Sequence, residues 1–194
     1  MSDGAAPFVL AFGDSLTAGY GLAISESFPA QLQTGLRVNW PNAVVRNAGV
    51  SGDTTASAHS RLPRLLSSLT ALPDLAIVEL GANDLLRGIS PERTRANLDT
   101  ILSEFGRRGI RVLLAAMELP SFLGTFSHAC NAIYPELAAK HGVPSHPFFP
   151  RGVLGHRELV LRDRLHPNAR AIELVTEAML PAVIAALPRS AEAA

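Results

Sequence analysis

The sequence predicts an α/β domain, with a five-stranded parallel sheet carrying helices on both faces. Three observations carry that prediction. Short apolar runs rich in β-branched residues alternate with longer stretches of helical spacing, five times over. Apolar residues make up 47% of the chain and charged residues 18%, enough to build a layered core. The 194 residues suit one domain of ordinary size, and no repeat, low-complexity tract or long linker divides them. We therefore expect a single domain over residues 1–194, with its core between residues 8 and 187.

The elements follow in order. Phe8 to Phe12 (FVLAF) reads as a first buried strand, ended by Gly13. A helix covers Phe28 to Leu36, with Pro29 in its first turn, where a missing N–H costs little. Ala43 to Asn47 (AVVRN) is a second strand and Thr55 to Leu69 a second helix; Leu75 to Leu80 (LAIVEL) is a third strand. Ser90 and Pro91 supply an N-cap and a proline at the first helical position. The helix they open places Leu98, Ile101, Leu102 and Phe105 on one buried stripe. Arg111 to Glu118 is a fourth strand, with a helix over Asn131 to Lys140 behind it. Val143 to Phe149 holds a short fifth strand between prolines, and the last helix runs from near Asn168 to Leu187. In such sheets chemistry gathers at the carboxyl ends of the strands, here just past Phe12, Asn47, Leu80, Glu118 and Phe149.

Charge and composition exclude several function classes. Seventeen basic residues balance seventeen acidic ones, so nothing draws the chain generally to nucleic acid or to an anionic membrane. Cys130 is the single cysteine, which excludes an intrachain disulfide and a multi-cysteine metal site. His59, His128, His141, His146 and His156 lack metal-ligand spacing and read as surface or packing residues. No apolar run is long enough to span a bilayer, and no basic region precedes an apolar stretch at the N-terminus. The sequence as it stands therefore reads as cytoplasmic, or as periplasmic or secreted where a leader has been removed.

Four segments carry candidate chemistry. The first strand runs into Gly13-Asp14-Ser15-Leu16-Thr17, which presents a serine at the rim of the sheet. A helix N-terminus there would favour an alkoxide and later an oxyanion, although a capping serine in a turn is the plain alternative. The second strand ends in Asn47 to Thr54, whose Gly49 and Gly52 let backbone amides approach a ligand closely. The third ends in Gly81-Ala82-Asn83-Asp84, with Asn83 a neutral amide donor at the same rim. Near the C-terminus, Asp163 stands three residues before His166, the arrangement of a base with its orienting carboxylate. Each segment alone has an explanation as a turn. Together they put a nucleophile, two oxyanion donors and an Asp/His pair where a doubly wound sheet would collect them.

These segments resemble the four blocks of the SGNH (GDSL) hydrolases: Gly13-Asp14-Ser15-Leu16, Gly52 in SGDT, Asn83 in GAND, and Asp163 with His166 in DRLHPN. Within that superfamily the chain is similar to the small bacterial arylesterase, lysophospholipase and acyl-CoA thioesterase I group. The stretches ELGANDLLRGISPE and Ala132-Ile133-Tyr134-Pro135 extend the resemblance, which runs from Phe8 to Leu187. It implies a flavodoxin-like three-layer α/β/α sandwich that hydrolyses esters or thioesters without metal or cofactor. It further implies Ser15 as nucleophile and His166 as general base and then acid, oriented by Asp163. The implied oxyanion donors are the backbone N–H groups of Ser15 and Gly52 and the side-chain amide of Asn83, while Asp14 supports the turn. Many relatives have glycine where this chain has Arg164, which questions the local backbone shape and sets a bulky cation beside the site.

Substrate walls are sought in the loop after the fourth strand, where Leu119, Phe122, Leu123 and Phe126 suit an acyl chain or an aromatic leaving group. Phe148 to Leu154 offers a second wall, with Gly152 and Gly155 allowing movement. The resulting expectation is a serine esterase forming an acyl-enzyme on short-acyl or aryl esters. Carbohydrate acetylesterase, or thioesterase and lysophospholipase on longer chains, are the alternatives. A non-catalytic flavodoxin-like binding module is a distant rival, since no Walker sequence occurs and Gly19-Tyr20-Gly21 does not directly follow a strand. An α/β-hydrolase is disfavoured because no GxSxG elbow occurs. The expected partner is a small-molecule ester, with no nucleic acid; Trp40 or the 119–126 loop leaves a homo-oligomeric interface open.

Overall fold

Alternate residues of the first strand, β1 (Phe8–Gly13), feed two separate cores. Leu10 and Phe12 pack on one face of the sheet, Val9 and Ala11 on the other, the period-2 consequence of a pleated strand buried on both sides. The structure, a computed structural model, describes residues 6–118 and 125–188. Its sheet runs β2 (Val44–Gly49), β1, β3 (Leu75–Glu79), β4 (Arg111–Ala116), β5 (Ser145–Pro147), every pairing parallel. This is the flavodoxin-like order.

The helices divide between the faces. α3 (Thr55–Ser67), α5 (Pro91–Arg107) and α6 (Thr125–His141) cover Leu10, Phe12, Val78 and Leu114. α2 (Phe28–Arg37) and α7 (Ala169–Ala186) cover Val9, Ala11, Ile77 and Leu113. Two short helices, α1 (Ser15–Ala18) and α4 (Ala82–Leu86), follow β1 and β3 directly. They are too short to show a 3.6-residue period, so the sequence marks them only as turns. Pro29 and Pro91 stand in the first turns of α2 and α5, and Ser90 caps α5 by accepting from the Arg93 N–H.

Two expectations are sharpened and one needs correction. The short fifth strand expected within 143–149 is Ser145–Pro147, kept to three residues because Pro144, Pro147 and Pro150 remove the donors a longer ladder would need. The helix expected from Asn131 starts at Thr125, since its first turns lack the spaced apolar stripe that marks helices in sequence. Trp40 is half-buried against the core face formed with α2 and α7. Leu119, Phe122, Leu123 and the side chain of Phe126 lie outside the described residues. No helix among the described residues is long and apolar enough to cross a membrane.

The topology also fixes where a ligand can sit. From β1 the chain steps outward to β2, then returns to β3 on the other side of β1. The connections leaving β1 and β3 diverge at their carboxyl ends, and the crevice between them is the usual binding place in such sheets. Register pairs Gly13 with Glu79, which sets the Ser15 turn beside the Asn83 turn.

Candidate active site

Asp14, wholly buried, organises the first turn. One carboxyl oxygen, Oδ1, caps α1 by accepting from the Leu16 N–H at 3.0 Å. The other, Oδ2, accepts from Asn83 Nδ2 at 3.0 Å, so one side chain ties the Ser15 turn to the Asn83 turn. Ser15 opens α1 and is 8% exposed. Gly13 precedes this turn because a Cβ there would run into Thr17 Oγ1 and Glu79.

Around the second turn, Gly52 adopts φ +84°, left-handed backbone that favours glycine. Its carbonyl accepts from the Arg87 guanidinium at 2.9 Å. Asp53 beside it accepts from Arg61 Nε at 2.6 Å, and Arg61 also donates to the Gly13 carbonyl at 3.1 Å. Arg61 thus couples the Gly52 loop to the Ser15 turn. Asp84 fastens the third turn: buried, it accepts from the Thr55 N–H at 2.8 Å, from the Thr55 hydroxyl, and from Thr94 Oγ1 at 3.3 Å. Burial raises the Tyr134 hydroxyl above its ordinary range, and it donates to the Leu80 carbonyl at 3.0 Å.

The Asp/His pair arrives from the far end of the chain. His166 Nε2 lies 3.1 Å from Ser15 Oγ, and His166 Nδ1 lies 2.7 Å from Asp163 Oδ2. Asp163 Oδ1 accepts from the backbone N–H groups of Leu165 and His166, each at 3.0 Å. The Leu165 N–H, then the His166 ring and the His166 N–H, lower the Asp163 carboxyl to about 2. Tyr20 stacks on the His166 ring, with centroids 4.4 Å apart and planes tilted by 35°. Between the pair, Arg164 has φ +61° and is the one non-glycine residue with positive φ among those described. Arginine there takes up the backbone shape a glycine would supply, at a cost of about 1 kcal/mol. Its side chain is exposed and borders a neighbouring groove with Arg157 and Arg162, not the cavity at Ser15.

The arrangement joins a serine hydroxyl, a ring nitrogen and a carboxylate in one hydrogen-bonded line beside a cavity of about 480 Å³. Leu86, Ile89, Met117, Ile133, Phe149 and Leu154 form its apolar walls. Phe149 and Leu154 come from the second wall segment expected from sequence, whereas Phe148 is buried in the core. Leu86 and Ile89, from α4 and the loop after it, had no periodic signal to mark them. Tyr20 was visible only as part of a Gly-Tyr-Gly turn. Among the described residues no group of three or more His, Cys, Asp or Glu side chains is placed to hold a metal ion.

The sequence pattern of the GDSL-like Lipase/Acylhydrolase family matches residues 11–173. The chain belongs to that family. This GDSL hydrolase is 38% identical over 170 residues to the arylesterase of Vibrio mimicus, covering 87% of this chain and 84% of that protein. It is 37% identical over 177 residues to the thioesterase 1/protease 1/lysophospholipase L1 of Escherichia coli, covering 90% of this chain and 82% of that protein. Among solved structures it is similar to AlinE4, an SGNH-hydrolase family esterase, with a TM-score of 0.78 and 48% identity over 97% of this chain and 100% of the other. The GDSL hydrolase is accordingly an SGNH serine esterase acting on carboxylic esters.

Proposed function

We propose that this esterase works through a Ser15–His166–Asp163 triad and an acyl-enzyme intermediate, on one domain spanning the chain. One observation supports the reading above the others: the unbroken line from Ser15 Oγ through the His166 ring to Asp163, with gaps of 3.1 and 2.7 Å. Asp163 holds the ring proton on Nδ1, which leaves the Nε2 lone pair facing the serine hydroxyl. As Oγ forms its bond to the ester carbonyl carbon, its proton passes to Nε2. The tetrahedral intermediate collapses, the C–O bond to the alcohol breaks, and the alcohol leaves with the proton from Nε2. Water then repeats the sequence on the acyl-enzyme, giving the acid and free Ser15.

The negative carbonyl oxygen needs donors already in place. The backbone N–H groups of Ser15 and Gly52 and the side-chain amide of Asn83 are assigned that role, and removal of one such donor typically costs 10²–10³ in turnover, roughly. Three features favour preorganisation: the Asp14 bond to Asn83, the Arg87 bond to Gly52, and the cap on α1.

For substrate, the apolar cavity of about 480 Å³ favours a short acyl or aryl ester. A second reading, thioesterase or lysophospholipase action on longer chains, is favoured by the name of the Escherichia coli relative. The test has two arms. An organophosphonate is expected to abolish activity and label Ser15; inactivation with Ser15 unlabelled overturns the triad. Rates on p-nitrophenyl esters from acetyl to decanoyl, on acetylated sugars and on acyl-CoA then rank the substrates, with kcat/KM expected to peak at short acyl esters.

A further inference from the structure

Glu79 ends β3 inside an otherwise apolar run, is wholly buried, and takes no part in the chemistry above. Its Oε2 accepts from the Thr17 hydroxyl at 2.9 Å and from the Asp14 N–H at 3.4 Å. Its Oε1 is buried and receives no donor from any described residue. The neighbour is another buried carboxyl, that of Asp14, whose own backbone N–H is the one that reaches Glu79 Oε2.

Two buried carboxyls side by side repel each other when both are charged, so the pair favours holding one proton. The hydrogen bonds decide which member holds it. Asp14 accepts from the Leu16 N–H and from Asn83 Nδ2, one on each oxygen, and both contacts stabilise an anion. Glu79 has an oxygen with nothing to accept, which is what a carboxyl hydroxyl would have, because a hydroxyl there needs an acceptor instead. Burial pushes both carboxyls up: Glu79 well above its ordinary range, with the Asp14 charge adding to it, and Asp14 by less because the Leu16 N–H and the Asn83 amide pull it down.

We propose that Glu79 is a positioning residue for the oxyanion hole: its neutral carboxyl donates to Asp14, and Asp14, kept anionic, fixes the side-chain amide of Asn83. The amide nitrogen carries two protons. With one anchored on Asp14, the other is left for a ligand in the cavity that Asn83 lines together with Ser15. Without Glu79, Asp14 would have no proton donor on that side and would recruit one, by taking a proton or admitting water, and Asn83 would lose its anchor. The inference rests on Asn83 acting as an oxyanion donor.

The test is a double-mutant cycle on p-nitrophenyl butyrate, with folding checked by thermal melts. Glu79→Leu is expected to lower kcat by about 10–100-fold with KM within about twofold, the pattern of an interaction made in the transition state. Glu79→Gln keeps a neutral donor facing Asp14 and an acceptor facing Thr17, and is expected to restore kcat to within about threefold of wild type. In an Asn83→Ala background the same Glu79→Leu change is expected to cost less than about threefold. A full, additive Glu79→Leu loss in that background overturns the proposal. Should Glu79→Leu fail to fold, Glu79→Gln decides: kcat within threefold supports the proposal, and a larger loss overturns it. Failure of the underlying reading shows separately, as near-wild-type kcat in Asn83→Ala alone.

Discussion

Ser15 and Asn83 stand on turns at the ends of neighbouring buried strands, whereas Asp163 and His166 stand on an exposed segment between β5 and α7. On the first side every fixing group is internal. Asp14 and Glu79 are wholly buried, and register sets Gly13 against Glu79. On the second side the fixing bonds are short-range. An isolated antiparallel bridge joins Val160 to Pro167, the Leu161 N–H donates to the His166 carbonyl at 2.8 Å, and Asn168 Nδ2 donates to the Glu158 carbonyl at 2.7 Å. The Asp163 side chain is 38% exposed and that of His166 is 19% exposed. The Ser15 side therefore inherits the stability of the whole sheet, while the His166 side rests mainly on bonds within its own turn. Changes to the strand-end groups should disturb fold and activity together; changes in the exposed segment should alter activity at nearly constant stability.

The largest expected effects remove a residue of the proposed triad. Ser15→Ala and His166→Ala should each lower kcat by about 10⁴-fold or more in steady-state assays. Their melting temperatures separate the two sides, since His166→Ala should leave Tm unchanged. Asn83→Ala comes next, with roughly 10²-fold lost from kcat and a smaller change in KM. Asp163→Asn should cost less than His166→Ala, about tenfold, because water can partly replace an exposed partner.

Asp163 also separates the two sides by pH. Its carboxyl is lowered to about 2, so its contribution is present at neutral pH and is lost only as pH falls from about 4 through about 2. Acid loss of kcat/KM above pH 4 should consequently persist in Asp163→Asn, measured as a pH–rate profile. Glu79 has the opposite sign. Its raised carboxyl takes up a proton on folding, so its contribution is full below the ordinary value of 4.5 and declines as pH rises towards the raised one. Urea unfolding should show the wild type losing more stability between pH 5 and pH 8 than Glu79→Gln does. Equal losses would break the comparison at its buried end. The smallest effect belongs to the exposed segment: Arg164→Gly relieves left-handed backbone and should raise stability by about 0.5–1 kcal/mol with kcat within twofold.

Local patterning made most of this fold legible before any coordinate. Val9 to Phe12 and Leu75 to Val78 announce buried strands, and Ser90-Pro91 announces a helix start, because these signals lie within a few neighbouring residues. Candidate site residues were legible as motifs for the same reason: Gly-Asp-Ser, Gly-Ala-Asn-Asp and Asp-Arg-Leu-His each fit in a single turn. Elements one turn long, such as α1 and α4, were not, and neither were the cavity walls Leu86 and Ile89.

Tertiary structure decided what long-range contact alone can decide. Ser15 and His166 are 151 residues apart in the chain, and their 3.1 Å approach depends on strand order, which no local period encodes. Glu79 makes the point most sharply. In sequence it is one acid closing an apolar strand; in the fold it touches Asp14 because parallel register aligns β1 with β3. Sequence by itself therefore determined the elements and the chemical groups on offer. The packing of the sheet determined which groups meet, which carboxyl keeps a proton, and which amide is held still.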